Sequence, residues 1–185
     1  MDKENKQKST LGFTLLETLI AVTVVAAVGT LIVQVFFTTT RSNTKTEILK
    51  EVKQNGDSAL ELISRMVRNS SGIQNICDST TTYYNYLTIT NPDGYATTFG
   101  CQFDTSLGIS RLASVSAQTV QYLTTNTVTL GGESCSDAKI SFGCVSIPDE
   151  PGRVTVAFTL SQKGATADTF ETSSMEFQTA VSPRN

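Results

Sequence analysis

The chain has 185 residues, a formal net charge of −3 and only 17% charged residues, so its length fits one domain or one domain with an appendage. It contains neither histidine nor tryptophan, which excludes Ser-His-Asp triads, Cys-His pairs and histidine metal ligands but leaves carboxylate and Ser-Lys chemistry open. The net negative charge is not typical of proteins that bind the phosphate backbone, so no direct nucleic-acid binding is expected.

The longest apolar stretch comes near the start of the chain. Residues 13–37 contain a single charge, Glu17, and as a helix at about 1.5 Å per residue they would measure about 37 Å, enough to cross a bilayer. Residues 1–12 carry three lysines, which favour a cytoplasmic N-terminus and translocation of everything after the apolar stretch.

Three interpretations of this stretch compete. A cleaved secretory signal peptide would use the small residues 26–29 as its cleavage region, but the apolar run continues past them to Phe37. An ordinary signal anchor gives no reason for Glu17, because a carboxylate within a membrane helix costs roughly 2.5 to 3.5 kcal/mol. The third interpretation assigns Glu17 a function and an oppositely charged partner.

The hexapeptide GFTLLE at residues 12–17 lies between a lysine-bearing leader and an apolar stretch. It resembles the class III signal of type IV pilins, which type II secretion pseudopilins share. The resemblance is specific over residues 1–37 and looser as far as residue 72. It implies cleavage between Gly12 and Phe13 by a prepilin peptidase, N-methylation of Phe13, and polymerisation through the N-terminal helix. It also implies that Glu17 neutralises the N-terminal amine of the subunit already at the filament base.

Elementary electrostatics agrees with this role for Glu17. Cleavage would leave the amine of Phe13 one helical turn from Glu17, and opposite charges attract strongly in a hydrocarbon of low dielectric constant. Major pilins often carry a proline in the second half of this helix, whereas residues 29–34 contain none. This departure favours a minor pilin or a pseudopilin over a major pilin without deciding between them.

Helical periodicity returns after residues 38–44. Apolar residues recur at three- and four-residue spacing, which predicts the outer half of a long helix with its apolar stripe packed on a sheet. Within it, Gly56 would cost about 1 kcal/mol relative to alanine, and Ser70-Ser71-Gly72 would end the helix with Gly72 as its cap. The apolar stripe consists of Ile48, Val52, Ala59, Leu62, Ile63, Met66 and Val67.

The rest of the chain reads as short strands. Strands at 84–90 and 95–103 would flank the hairpin turn Asn91-Pro92-Asp93-Gly94. Further strands are predicted at 107–112, 120–123, 127–130, 139–147, 154–162 and 169–181. The predicted fold class is α+β, with a long N-terminal hydrophobic and amphipathic helix packed on a C-terminal antiparallel β-sheet domain, as in pilins.

The sequence predicts four divisions of the chain. They are a prepilin leader at 1–12, a transmembrane and filament-core helix at 13–37, its amphipathic continuation at 38–72, and a disulfide-stabilised globular domain at 73–185.

All four cysteines, Cys77, Cys101, Cys135 and Cys144, fall in the predicted globular domain, where an oxidising exterior favours disulfides. Of the three connectivities we expect the sequential one, Cys77–Cys101 with Cys135–Cys144. A zinc site built from four thiolates is the alternative, but no CxxC spacing supports it.

Two further groups of residues leave alternatives open. The adjacent carboxylates Asp149 and Glu150 resemble the calcium loops of some pseudopilins only weakly, and a solvated turn accounts for them better; no metal and no cofactor is expected. Five aromatic residues form either a contact patch or part of the sheet core. They are Tyr83, Tyr84, Tyr86, Tyr95 and Phe99.

The sequence therefore predicts a non-enzymatic structural subunit of a type IV pilus or pilus-like filament, with adhesion, motility or DNA uptake belonging to the whole fibre. The expected partners are other copies of the chain, the prepilin peptidase, the pilus assembly platform and the cytoplasmic membrane. The prepilin is expected in that membrane as a single-pass protein, and the assembled filament at the cell surface. The alternatives are a minor pilin or secretion pseudopilin, or, from a different class, an uncleaved signal-anchored surface binding module.

Overall fold

The computed structural model describes residues 12–132, 134–147, 150–164 and 173–184. The chain divides into two compact units, Met1–Asn43 and Thr44–Asn185. Its secondary structure begins with a single helix, α1, which spans Leu15–Asn69. No proline interrupts this span, so every residue within it can donate its backbone N–H to the helical ladder.

The described residues after α1 form strands that pair antiparallel throughout. The strands are β1 (Gly72–Ile73), β2 (Thr82–Tyr84), β3 (Tyr86–Thr90), β4 (Ala96–Asp104), β5 (Ile109–Ser116), β6 (Thr119–Tyr122), β7 (Val128–Thr129), β8 (Ile140–Ile147), β9 (Glu150–Gln162) and β10 (Ser174–Val181).

The strands build two sheets, whereas the sequence predicts a single one. The first sheet has the order β1-β3-β4-β5-β6, and the second has the order β10-β9-β8-β2 with β7 also pairing with β9. The short strand β2 joins the second sheet although its neighbours in sequence belong to the first. The predicted α+β fold class, with a long helix and antiparallel sheets, is confirmed.

The second half of α1 packs its apolar stripe into the core between these strands, as predicted. Val52, Ala59, Ile63 and Val67 are fully buried, and Ile48, Leu62 and Met66 are partly buried against the same cluster. The helix meets residues from both sheets in this cluster. They include Leu87, Ile89, Phe99 and Leu112 of the first sheet and Phe142, Val156, Phe158 and Phe177 of the second.

Gly56 marks the closest approach of α1 to the second sheet. The residue is buried, and a Cβ built on it would overlap the ring of Phe177. That ring is 5% exposed and stacks on Phe158 with 5.4 Å between centroids, so it has little room to move aside. The glycine therefore has a lower helix propensity than alanine but allows α1 to contact a buried aromatic ring closely.

Polar contacts tie the same part of α1 to the connection between β6 and β7. The buried side chain of Asn55 donates to the carbonyl oxygen of Glu51 and accepts a 2.8 Å hydrogen bond from the backbone N–H of Thr125. The hydroxyl of Thr127 donates to the Glu51 carboxylate at 2.7 Å. These bonds satisfy a polar side chain that would otherwise be costly to bury.

The helix ends near the predicted place, but Gly72 is not its cap. Both the backbone N–H and the hydroxyl of Ser70 donate to the carbonyl oxygen of Val67, at 3.2 and 2.7 Å. Gly72 already belongs to β1, where it pairs with Thr90. A serine side chain thus closes the helix, and the glycine can enter the first sheet.

The predicted hairpin at residues 91–94 is confirmed. β3 and β4 pair antiparallel across it, and Gly94 has a φ of 84°, which a glycine adopts without strain. The N–H of Gly94 donates to the carbonyl oxygen of Asn91 at 3.0 Å, and the Asp93 carboxylate accepts from the N–H of Tyr95 at 3.0 Å.

All four cysteines form disulfides, but the expected sequential pairing is wrong. The bonds are Cys77–Cys144 and Cys101–Cys135, with Cα–Cα distances of 5.1 and 5.6 Å. Strand pairing explains the first bond: β2 lies beside β8 with Thr82 opposite Cys144, which brings the segment before β2 to the same place. Sheet register therefore determines the partner of Cys77, and proximity in sequence does not.

The second disulfide has an equally long-range origin. Cys135 lies in the connection between β7 and β8, and this connection is held near the first sheet because the N–H of Leu130 donates to the carbonyl oxygen of Ser110 at 2.8 Å. Ser110 belongs to β5, which pairs with β4, where Cys101 lies. This hydrogen bond therefore holds the connection that contains Cys135 near β4.

We expect Gly56→Ala to destabilise the second unit by up to about 2 kcal/mol. Overpacking a core typically costs about 1–3 kcal/mol, which exceeds the gain of about 1 kcal/mol in helix propensity. The matched control is Gly29→Ala on the same helix, where an added Cβ meets nothing within 4 Å. Thermal unfolding followed by circular dichroism should show a lower midpoint for Gly56→Ala alone, and an equal or higher midpoint would contradict the close approach.

Peptide mapping without reduction should recover peptides that link Cys77 to Cys144 and Cys101 to Cys135. Replacing Cys77 and Cys144 together with alanine should cost about 4 kcal/mol of unfolding free energy, because the bond closes a loop with a sequence separation of 67 residues. Recovery of a peptide joining Cys77 to Cys101 from oxidised native protein would refute this pairing.

Candidate functional site in the N-terminal helical segment

The start of α1 is built by Thr14. Residues 12–14 have no regular secondary structure, and the helix begins at Leu15. The hydroxyl of Thr14 accepts a hydrogen bond from the backbone N–H of Glu17 at 3.2 Å, and its carbonyl oxygen accepts from the N–H of Thr18 at 3.2 Å. Thr14 is therefore the N-cap residue, and it satisfies donors that the first helical turn leaves open.

Sequence reasoning missed this role of Thr14, although the signal was present. Thr14-Leu15-Leu16-Glu17 matches the S/T-x-x-E/Q pattern of a capping box. Glu17 lies in the first turn, where a negative charge also interacts favourably with the helix dipole. Glu17 thus has a local reason for its position. A glutamine would serve in the capping box equally well, so the capping function does not require the charge.

The apolar segment that follows is covered by no other part of its unit. Its large apolar side chains, from Phe13 to Phe37, are each between 49% and 83% exposed, and they lie on every side of the helix. The segment is long and apolar enough to span a membrane. A helix that is apolar all round needs burial in lipid or against other proteins.

The hydroxyl groups of this segment are satisfied within the helix itself. Each donates to a carbonyl oxygen three or four residues earlier, at 2.8 or 2.9 Å. In hydrocarbon an unsatisfied polar group costs several kcal/mol, so this bonding suits the segment to an apolar environment. The residues are Thr18, Thr23, Thr30, Thr38, Thr39 and Thr40.

The predicted processing and assembly residues therefore lie together at one end of one unit. Gly12 and Phe13 are exposed, and Phe13 is 81% exposed. Glu17 is exposed as well, and it lies in the first turn of the helix that carries the apolar surface. The four disulfide cysteines all belong to the other unit.

The second unit contains a largely buried ion pair between Asp104 and Arg111. Arg111 Nη1 lies 3.1 Å from Asp104 Oδ2, and the two side chains are 12% and 11% exposed. The guanidinium also donates to the carbonyl oxygen of Thr124 and lies 4.0 Å from the ring centroid of Tyr122. Together these contacts hold the start of β5 against the end of β6.

Asp104 also organises the turn between β4 and β5. Its Oδ1 accepts from the hydroxyl of Ser106 at 2.6 Å and from the N–H groups of Ser106 and Leu107. The Ser106 hydroxyl, the Arg111 guanidinium and these N–H groups lower the pKa of Asp104, against an opposing effect of burial. The carboxylate is therefore held ionised as a structural group.

The arrangement of the described residues offers no metal centre. No group of three or more His, Cys, Asp or Glu side chains within them could hold a metal ion. The cysteine sulfurs bond to each other, so they are not available as the thiolates of the zinc alternative. Asp149 lies outside the described residues.

Comparison with protein-family models, with curated proteins and with solved structures finds no match to this chain.

Acidification should remove the contribution of Asp104 to stability. Its pKa is lower in the folded chain than the value of about 3.9 expected when unfolded. The stabilisation is therefore present above about pH 4 and is lost as the pH falls through the folded-state pKa. Urea unfolding should show that Asp104→Asn is destabilised at neutral pH and that its difference from wild type shrinks below about pH 4.

The variant Ser106→Ala provides the control for this pH dependence. It removes the strongest interaction that lowers the pKa of Asp104 but keeps the carboxylate and Arg111. We expect the loss of stability to begin near the same pH as in wild type, that of the unfolded-state pKa, but to be smaller and to be complete at a higher pH. A stability difference for Asp104→Asn that stays constant down to pH 2 would contradict the lowered pKa.

Proposed function

We propose that the chain is a structural subunit of a type IV pilus or pilus-like filament. In this proposal the precursor is cleaved between Gly12 and Phe13, N-methylated at Phe13 and polymerised through its N-terminal helix. The observation that carries the proposal is a helix segment that is apolar on every side and contains one carboxylate, Glu17. The subunit is not an enzyme; it is the substrate of one.

The exposed apolar segment supports polymerisation through the helix. Such a segment requires lipid before assembly and other apolar helices after it. Transfer from lipid to a bundle of helices brings little hydrophobic gain, so it needs a specific interaction to set the order of the subunits. A charge pair in low dielectric supplies such an interaction, because a lone carboxylate there costs roughly 2.5 to 3.5 kcal/mol and an ammonium partner offsets that cost.

The geometry at the start of α1 supports processing at the predicted bond. Gly12 and Phe13 precede the helix and are exposed, so a protease can reach this peptide bond without unwinding a helical turn. Cleavage after Gly12 would keep the Thr14 cap. The new amine would place a positive charge near the helix N-terminus, which the helix dipole disfavours, and Glu17 in the first turn would compensate for it in the same or a neighbouring chain.

The second unit fits an extracellular location. Its two disulfides are stable in an oxidising environment. The proposed partners are further copies of the chain, a prepilin peptidase, an assembly platform and the cytoplasmic membrane, from which the assembled filament leaves for the cell surface. A minor pilin or secretion pseudopilin is the alternative within this class. The rival from another class is an uncleaved, membrane-anchored surface binding module.

Substitution of Glu17 separates its charge from its match to the capping-box sequence pattern. Glu17→Gln keeps a capping-box side chain but removes the charge, and Glu17→Ala removes both. The matched control is Glu47→Gln, an exposed carboxylate on the same helix outside the apolar segment. Intact mass and N-terminal sequencing are measured on cell membranes and on material sheared from the cell surface.

The proposal expects processed wild-type chain to begin at N-methylated Phe13 and to appear in the sheared fraction, as does Glu47→Gln. Both Glu17 variants should insert into membranes but be lost from the sheared fraction by about tenfold or more, equivalent to about 1.4 kcal/mol. Normal assembly of Glu17→Gln would show that only capping matters. A chain that still begins at Met1 would leave the anchored binding module in place of the filament.

A further inference from the structure

A small groove lies beside β4 of the first sheet. The strand register aligns Tyr86, Gly100, Ala113 and Tyr122 in one row across β3, β4, β5 and β6. Because residues in register point to the same face of a sheet, two tyrosines stand on either side of two positions with little or no side chain. The depression over Gly100 and Ala113 has a volume of about 220 Å³.

The groove presents more apolar than polar surface. Tyr86, Thr98, Gln102 and Asn85 contribute polar side chains to its walls, and Val115 and Ile140 add apolar ones. None of the described residues that line it is ionisable as a base or carboxylic acid. A charged ligand would therefore lose its hydration without gaining a counter-charge, which is costly.

The ring of Tyr86 is held in place from behind. It is 48% exposed and contacts the ring of Tyr84, with 6.1 Å between centroids. Tyr84 is itself fixed, because its hydroxyl donates to the carbonyl oxygen of Ile76 at 2.6 Å. A ligand that packs on Tyr86 would therefore meet an ordered aromatic surface, which reduces the entropy lost on binding.

The amide groups beside this ring are available to a ligand. Among the described residues no hydrogen bond engages the side chains of Asn85 or Gln102. Each amide offers two donor hydrogens and one acceptor oxygen. The hydroxyl of Thr98 already shares a 2.9 Å hydrogen bond with Thr88 and can accept one more.

We propose that this groove binds one ring of a neutral sugar. A pyranose presents a face of C–H groups, which packs on an aromatic ring, and a rim of hydroxyls, which pair with amide donors and acceptors. The groove combines one ordered tyrosine, two amides without a hydrogen-bond partner among the described residues, and no ionisable group among its described lining residues, in a volume that holds one such ring. This inference concerns the second unit alone and is independent of whether the chain assembles into a filament.

The disulfide Cys101–Cys135 forms one side of the groove. It fixes the connection that contains Cys135 beside β4, so this wall keeps its position when the groove is empty. The groove is therefore preformed on three sides, by the sheet as its floor, by Tyr86 and by the disulfide.

The test is saturation-transfer difference NMR on the full chain in lipid nanodiscs, so that no sugar-headed detergent competes. The probes are the methyl glycosides of glucose, galactose, mannose and N-acetylglucosamine, with methyl glucuronide as a charged counterpart. We expect at least one neutral glycoside to bind with a Kd of about 1 mM, and methyl glucuronide to bind more weakly than its neutral analogue.

Tyr86→Ala should weaken binding by about tenfold, since an aromatic contact is worth up to about 1.5 kcal/mol. Gln102→Ala is the second variant, which removes an amide and leaves the aromatic contacts intact. The matched control is Tyr95→Ala, a more exposed tyrosine, 67% accessible, that does not line the groove. Circular dichroism and the thermal midpoint verify that each variant is folded.

Three results would overturn the proposal. One is the absence of binding by every neutral glycoside at concentrations up to about ten times the expected Kd. Another is stronger binding of the glucuronide than of its neutral analogue. The third is binding that survives in both folded groove variants or is lost equally in Tyr95→Ala.

Discussion

The burial of one face of α1 against both sheets is the interaction on which the rest of the second unit depends. One cluster contains residues of each sheet and four residues of the helix, Val52, Ala59, Ile63 and Val67. The helix therefore shields apolar residues of both sheets from water. The contact is close because position 56 is a glycine against Phe177. Hydrogen bonds that Asn55 and Glu51 accept from the connection before β7 fix the helix along its axis.

The same helix has opposite surface properties at its two ends. In the second unit its apolar residues form a stripe that the chain itself covers, and charged residues occupy the remaining faces. In the first unit apolar residues are exposed all round, and the threonine hydroxyls bond to the helix backbone. Exposure of these apolar side chains to water is unfavourable. The apolar segment of the first unit therefore favours lipid or contact with other proteins around it.

Local patterns predicted what local forces determine. The spacing from Ile48 to Val67 indicated the buried stripe, and Asn91-Pro92-Asp93-Gly94 indicated the hairpin, because periodicity and turn chemistry act over a few residues. The partner of Cys77, by contrast, follows from the pairing of β2 with β8, which no local signal encodes. The groove beside Tyr86 likewise depends on its register with Gly100 and Ala113. At the candidate site, the capping role of Thr14 was readable from the sequence, whereas the exposure of the segment required the fold.

The nested arrangement of the disulfides has a consequence for the order in which the chain emerges. If the second unit is exported N-terminus first, Cys77 appears before Cys101, and Cys144 appears last. In each native bond the second cysteine would emerge well after the first, because the partners are 67 and 34 residues apart. An oxidant acting during export would therefore join Cys77 to Cys101 first. Under that condition, native pairing would require thiol–disulfide exchange, or oxidation delayed until β8 has paired with β2.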